Sequence, residues 1–182
     1  MSWPLHATTD SVEATRALAA HLAPLCGPGD VVLLVGELGA GKTAFAQGFA
    51  AGLGVAGPVT SPTFALVRQY SCGADAPVRT LIHADVYRTG SLAEVVDLAL
   101  AELVEEDAVA LVEWGELAAP ALGETVLEVV LSLPGPVATP ERRDVTFWGR
   151  GSWSGRSGEV ASALAPVVAS VAASPRAGHP RP

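Results

Sequence analysis

Apolar residues occur in short runs separated by glycine, proline and polar residues, a pattern typical of buried strands that alternate with helices. Residues 31–35 form one continuous apolar run and residues 108–112 form another. Runs of this kind indicate parallel strands that are buried on both faces of a sheet. Further strands are predicted over residues 5–8, 126–133 and 145–148.

Helices are predicted where apolar residues return every three or four positions. The first helix follows Asp10, which begins a capping-box pattern because Glu13 stands three residues later. The Gly-Pro-Gly-Asp sequence at residues 27–30 ends this helix. Further helices are predicted over residues 42–53, 91–106 and 157–171.

Residues 64–70 and 78–83 predict two strands joined by the turn at residues 71–77. This connection is too short to contain the crossover helix that parallel neighbours need. The two strands are therefore expected to form an antiparallel hairpin.

The chain has a single lysine, Lys42, and it lies in the segment Gly-Glu-Leu-Gly-Ala-Gly-Lys-Thr at residues 36–43. This segment fits the phosphate-binding loop G-x-x-x-x-G-K-[ST], and it lies between a predicted strand and a predicted helix, as that motif requires. Lys42 would reach the terminal phosphates and Thr43 would bind Mg²⁺. The alternative is a glycine-rich turn with an incidental lysine. The expected nucleotide contacts are Glu37, Leu38, Gly39, Ala40, Gly41, Lys42 and Thr43.

The order of strand, glycine-rich loop and helix predicts an α/β fold, a P-loop NTPase-like three-layer domain. Its sheet is expected to be mixed and mostly parallel, and to include the antiparallel hairpin. We expect a single domain over residues 1–170 and a flexible tail over residues 171–182, where proline, glycine and arginine are frequent.

Two carboxylates follow apolar runs and are candidate site residues. Glu113 follows the run at residues 108–112, and Asp85 follows Thr-Leu-Ile-His-Ala. Because ligands of open α/β sheets bind at the carboxyl ends of strands, both acids are expected near the phosphate loop. Mg²⁺ prefers such oxygen ligands, and either acid is a candidate to complete its coordination beside Thr43. A solvated loop acid is the competing interpretation for each.

Four other polar residues are ambiguous. His83 stands inside a predicted strand, where a histidine is more often packed than catalytic. Arg88, Arg142 and Arg143 could contact phosphate, but surface arginines are common, and none is assigned a role.

The net charge of −8 and the pI near 4.9 disfavour direct binding to nucleic acid, because phosphate contacts dominate that affinity. Any contact with nucleic acid is therefore expected to be indirect. Cys26 and Cys72 form no metal or redox motif. The N-terminus lacks the pattern of a signal peptide, and the chain has no apolar run long enough to span a bilayer. We expect a soluble, cytoplasmic protein without a membrane partner.

The absence of a second lysine excludes the N-K-x-D motif with which Ras-like GTPases recognise guanine. A P-loop small-molecule kinase stays possible, although such enzymes usually carry an arginine-rich lid. The adjacent pair Arg142 and Arg143 is the nearest approach to such a lid.

Four blocks together resemble the TsaE family, also called YjeE. They occur in the family's order and at its spacing, and the resemblance covers residues 9 to about 150. The blocks are GELGAGKT at 36–43, TSPTFALV at 60–67, HADVYR at 83–88 and LVEWGE at 111–116. One departure is Gly115, where the family often has proline.

This resemblance implies an ATPase that acts with the TsaD–TsaB heterodimer in the synthesis of N6-threonylcarbamoyladenosine at position 37 of tRNA. It implies that Thr43 and Glu113 hold Mg²⁺ and that Asp85 lies beside the γ-phosphate, with Lys42 as the other catalytic residue. It also implies a switch-like loop at residues 61–63. A nucleotide-gated binding module, in which hydrolysis is incidental, is the alternative.

Overall fold

The computed structural model describes residues 2–62, 66–87, 107–115, 125–134 and 140–168, together with the backbone of residues 172–173. The helices are α1 (Val12–Leu22), α2 (Lys42–Gly52) and α3 (Ser157–Leu164), with short 3-10 helices at Ala23–Leu25 and Gly151–Trp153. The strands are β1 (Leu5–Thr9), β2 (Val31–Val35), β3 (Val67–Ser71), β4 (Thr80–Asp85), β5 (Ala108–Glu113), β6 (Leu127–Ser132), β7 (Arg143–Gly149) and β8 (Ala172–Ala173).

The described strands form one mixed sheet in the order β3-β4-β5-β2-β6-β7-β1-β8. The four central strands β4, β5, β2 and β6 are parallel, whereas β3, β7 and β8 each run antiparallel to their neighbours. Because β1 is antiparallel to β7, it shares the direction of the central strands, so that five of the eight described strands point the same way. The predicted α/β fold with a mixed, mostly parallel sheet and an antiparallel hairpin, now β3–β4, is confirmed.

One face of the sheet carries α1 and α2. Apolar residues of both helices, including Leu18, Leu22, Phe45 and Phe49, join the sheet in one buried cluster. The two helices touch backbone to backbone, because a Cβ atom at Gly48 would collide with the backbone of Arg16. This close contact fixes α2, and with it the loop that precedes α2, over the central strands.

Alternate residues of the same strands form a second buried cluster on the opposite face. The helix predicted over residues 91–106 lies outside the described residues, so the third layer stays a prediction. None of the described helices is long and apolar enough to cross a membrane.

Several predicted helix boundaries differ from the structure, and α2 ends at Gly52, one residue before its predicted end. The N-cap of α1 is Ser11, not Asp10, because Ser11 has an extended backbone and its hydroxyl accepts the amide of Ala14. The helix predicted over residues 157–171 ends at Leu164. Pro166 lacks an N–H and therefore cannot donate the next helical hydrogen bond.

The C-terminal region was expected to become a flexible tail at residue 171. Ala172–Ala173 pairs with β1, and residues 174–182 lie outside the described residues. The division into a domain and a tail stays a prediction.

Candidate functional site

The glycine-rich loop connects β2 to α2 and has three glycines at positive φ. Gly36, Gly39 and Gly41 have φ values of +149°, +82° and +105°, which side chains with a Cβ rarely adopt. Gly41 is the N-cap of α2 and supplies no side-chain hydrogen bond to its first turn. The first backbone amides of α2 therefore form a positively polarised helix end without a side-chain cap, which suits an anion.

Gly36 lies against the neighbouring strand β6. A Cβ atom at this position would collide with the carbonyl oxygen of Leu131 and would lie 3.2 Å from the Cβ atom of Ala40. The start of the loop is therefore fixed by a close contact that only glycine allows.

Lys42 folds back onto the loop that precedes it. Its Nζ donates to the carbonyl oxygens of Gly36 at 2.5 Å and Glu37 at 2.9 Å. The same ammonium lies 3.6 Å from the centroid of the Trp114 ring, and Tyr87 packs on Trp114 with a centroid distance of 4.4 Å. A buried positive charge is thus held at the loop by carbonyl dipoles and an aromatic face.

Glu113 connects the first turn of α2 to the carboxyl end of β5. The Thr43 hydroxyl donates to its Oε2 at 3.1 Å, and the His83 ring contacts its Oε1 through Nε2 at 2.9 Å. Glu113 and His83 are both buried. A carboxylate accepts only, so Nε2 of His83 carries the proton in this contact. Both oxygens of Glu113 are therefore held by donors.

Asp85 lies directly beside Glu113, because the parallel register of β4 and β5 pairs these two residues. Its Oδ2 accepts the Ser61 hydroxyl at 2.7 Å, and its Oδ1 accepts the Tyr87 amide at 3.1 Å. The second contact is a local turn of the kind aspartate favours. The first contact ties Asp85 to the segment at residues 60–62.

The structure therefore brings the sequence-predicted site residues to one edge of the sheet. Thr43 contacts Glu113 directly, Asp85 is the neighbour of Glu113, and Lys42 lies on the loop itself. Their chemical roles stay predictions. Thr63, the last residue of the predicted switch loop, lies outside the described residues.

The sequence did not assign His83 or Arg143, although both contact site residues. His83 lies two residues before Asp85 in β4, and the alternation of a strand places both side chains on one face. That spacing was the signal that could have found His83. Arg143 donates to the carbonyl oxygens of Gly39 and Ala40, and no local pattern distinguishes it from Arg142.

The donor set fits Mg²⁺ only in part. The Thr43 hydroxyl and the Glu113 carboxylate are hard oxygen ligands that already lie together. Within the described residues, no group of three or more His, Cys, Asp or Glu side chains could hold a metal ion. A Mg²⁺ ion here would therefore depend on oxygens from a phosphate ligand and water.

The glycine-rich loop, the Lys42-Thr43 pair and a carboxylate at the adjacent strand end define a protein of the P-loop NTPase-like class. A profile of the family described as "Threonylcarbamoyl adenosine biosynthesis protein TsaE" matches residues 9–136. The chain belongs to this TsaE family.

Curated relatives agree with that assignment. The chain is 41% identical over 139 residues to the tRNA threonylcarbamoyladenosine biosynthesis protein TsaE of Bacillus subtilis, with 76% of this chain and 82% of the relative covered. It is 43% identical over 137 residues to the protein of the same name from Streptomyces coelicolor, with 75% and 90% covered. Both relatives carry the family name that the four sequence blocks indicated.

The fold is also similar to a solved structure. The crystal structure of Bacillus subtilis YdiB superposes with a TM-score of 0.68 at 34% identity, covering 91% of this chain and 97% of that one.

Proposed function

We propose that this chain binds ATP with Mg²⁺ at the loop of residues 36–43 and hydrolyses it as a subunit in tRNA N6-threonylcarbamoyladenosine synthesis. Its proposed partner is the TsaD–TsaB heterodimer, and its contact with tRNA is indirect, as the net charge of −8 favours. The chain would act together with these partners in the cytoplasm. Membership of the TsaE family supports the pathway.

The observation that carries the proposal is the hydrogen bond between Thr43 and Glu113. It joins the hydroxyl that ends the phosphate-loop motif to a buried carboxylate at the end of a parallel strand, at 3.1 Å. These two residues would hold Mg²⁺, which would neutralise phosphate charge and orient the terminal phosphates.

Lys42 would exchange its contacts with the Gly36 and Glu37 carbonyl oxygens for phosphate oxygens. Both contacts are to neutral acceptors, so a phosphate is a stronger partner for the ammonium. Asp85 is buried to 8% exposure and would accept a hydrogen bond from the attacking water beside Glu113.

The nucleotide-gated alternative is favoured by one contact. The Ser61 hydroxyl donates to Asp85 at 2.7 Å, so a change at Asp85 would be transmitted to the segment at residues 60–62. In that case Asp85→Asn should still bind ATP and still support tRNA modification after hydrolysis is lost. A small-molecule kinase draws no support from the family assignment.

The proposal is tested by ATP titration and by phosphate release, with wild type and Lys42→Ala compared. Wild type should bind ATP with Mg²⁺ and hydrolyse it slowly alone and faster with TsaD–TsaB. Lys42→Ala should lose binding, and Glu113→Gln should require more Mg²⁺. Equal ATP binding by wild type and Lys42→Ala would overturn the assignment of the loop.

A phosphorylated metabolite formed without any partner would instead establish the kinase alternative. Co-purification with TsaD–TsaB in the presence and absence of ATP tests the partner assignment separately.

A further inference from the structure

Arg143, at the start of β7, joins the phosphate-binding loop to the segment that leads into β7. The Nε and Nη2 atoms donate to the carbonyl oxygens of Ala40 at 3.0 Å and Gly39 at 3.2 Å. On the other side of the guanidinium, Nη1 donates to the carbonyl oxygens of Pro140 at 2.6 Å and Arg142 at 2.7 Å. Two of these four hydrogen bonds link segments that lie about a hundred residues apart in the chain, and the other two hold the guanidinium against its own segment.

The two loop carbonyl groups matter because a trans peptide unit is planar, and its C=O and N–H bonds point in opposite directions. A donor that holds the Gly39 carbonyl therefore orients the Ala40 amide, which closes the loop's turn by donating to Glu37 at 3.1 Å. A donor that holds the Ala40 carbonyl orients the Gly41 amide away from Arg143. The guanidinium thus sets the direction of two consecutive amides in a loop of the kind that binds phosphate through its amides.

The loop needs such a restraint at this position. Gly39 and Gly41 both have positive φ values, of +82° and +105°, and glycine loses more conformational freedom on ordering than any other residue. A loop that is ordered before the ligand arrives binds more tightly, because no further conformational entropy is lost when the ligand binds.

Arginine suits this position better than lysine. The planar guanidinium presents five donors in a fixed fork, whereas an ammonium is a compact point charge. The Nε–Nη2 edge of Arg143 uses that fork on two successive carbonyl oxygens.

We infer that Arg143 is a positioning residue that pre-forms the phosphate-binding loop, and that it raises nucleotide affinity without acting in the chemical step. This inference rests on the proposed function for its ligand. It lies outside the segment matched by the family profile, which ends at residue 136.

The test compares wild type with Arg143→Gln and Arg143→Lys, and uses Arg142→Gln as the matched control. Arg142 is the adjacent arginine, its side chain is 45% exposed, and its Nε lies 4.0 Å from Asp144. ATP affinity is measured by titration, the hydrolysis rate at saturating ATP by phosphate release, and stability by denaturant unfolding of the nucleotide-free protein.

Both Arg143 variants should bind ATP about tenfold more weakly, since pre-organisation contributes to affinity. Their kcat at saturating ATP should stay within about twofold of wild type, because the group does not touch the reacting atoms. Arg142→Gln should match wild type.

Any one of the following results would overturn the inference. Arg143→Gln could bind ATP with wild-type affinity, or it could show a lower kcat with unchanged affinity. Arg143→Lys could restore wild-type affinity, which would show that charge alone suffices. A loss of unfolding stability that accounts for the weaker binding would also overturn it.

Amide hydrogen exchange of the nucleotide-free protein separates this inference from the proposed function. The peptide covering residues 36–43 should exchange faster in Arg143→Gln than in Arg142→Gln. If wild type fails to bind ATP, the proposed function falls, and the exchange result alone still decides whether Arg143 orders the loop. Equal exchange in the two variants would refute the positioning role.

Discussion

Replacing His83 by leucine should destabilise the protein through Glu113. The His83 ring is fully buried, and its Nε2 atom donates to Oε1 of the buried Glu113 carboxylate at 2.9 Å. Leucine has a similar volume but no donor, so the substitution leaves one oxygen of a buried carboxylate unpaired. Hydrogen bonds to charged groups contribute about 1.5–3 kcal/mol, and a loss of about 2–3 kcal/mol in unfolding free energy is expected.

Two further variants test whether the stability lost in His83→Leu comes from the contact with Glu113. His83→Gln keeps a donor near the position of Nε2 and should lose less than about 1 kcal/mol, since the charged acceptor stays paired. His6→Leu is the matched control, because the half-buried His6 contacts a neutral hydroxyl, that of Thr146, at 3.0 Å. It should lose about 1 kcal/mol or less, as neutral hydrogen bonds do.

Urea unfolding of the nucleotide-free protein measures all three changes by linear extrapolation. If His83→Leu is no less stable than His6→Leu, the Glu113 contact does not stabilise the fold as argued. A second assay follows ATP hydrolysis against Mg²⁺ concentration. Loss of a group that orients a metal ligand typically weakens metal binding 10- to 100-fold, so His83→Leu should require roughly tenfold more Mg²⁺.

Two other predictions concern a glycine and the cysteines. Gly36→Ala should slow ATP hydrolysis, followed by phosphate release, by about 100-fold, because its Cβ would displace the loop from Leu131 and a misplacement of about 1 Å can lower a rate by that factor. Gly27→Ala places its Cβ in open space and should hydrolyse ATP at the wild-type rate; equal rates in the two variants would refute the argument. Burial raises the pKa of the Cys26 thiol well above its ordinary value. The folded protein therefore holds the Cys26 proton more tightly than the unfolded protein does. The unfolding free energy should fall as pH rises above about 8.5, where the thiol ionises in the unfolded chain. Cys26→Ala should reduce that fall, and Ellman's reagent should modify the partly exposed Cys72 before Cys26; equal reaction rates would contradict this order.

Strand positions could be predicted from sequence where the apolar run itself defines the element. The run at residues 31–35 became β2 with the same bounds, because a strand buried on both faces needs apolar residues throughout. The start of α1 was displaced by one residue, since both Asp10 and Ser11 can cap a helix. The backbone decides between them, and Ser11 has the extended conformation of an N-cap at φ −152° and ψ 167°.

The site was only partly predictable for a similar reason. Glu113 and Asp85 could be placed together because parallel strands end at the same edge of a sheet, and their register confirms that placement. The contact of Arg143 with Gly39 and Ala40 depends on how β7 pairs with β6 and β1. No pattern around Arg143 reports such pairing, and its neighbour Arg142 has the same chemistry but lies in a different environment.

The alternation of β4 and β5 also explains why the polar residues gather on the α2 side of the sheet. Leu81, His83 and Asp85 share one face of β4, and Val109, Leu111 and Glu113 share the same face of β5. The intervening residues, among them Ile82, Ala84, Ala110 and Val112, belong to the apolar cluster of the opposite face. The side chains of β4 and β5 therefore become more polar towards the carboxyl ends of the strands on the face that carries α2, but not on the opposite face.

That gradient has a physical cause. The apolar residues near the start of each strand lie under α1 and α2, where a polar group would lose its hydration without a partner. The last positions lie beside the first turn of α2, whose hydroxyl and amides can satisfy carboxylates. Glu113 can be buried at 2% exposure only because Thr43 and His83 both reach it. The same contacts that allow this acid to be buried hold it beside the first turn of α2, where the proposed Mg²⁺ ion would lie.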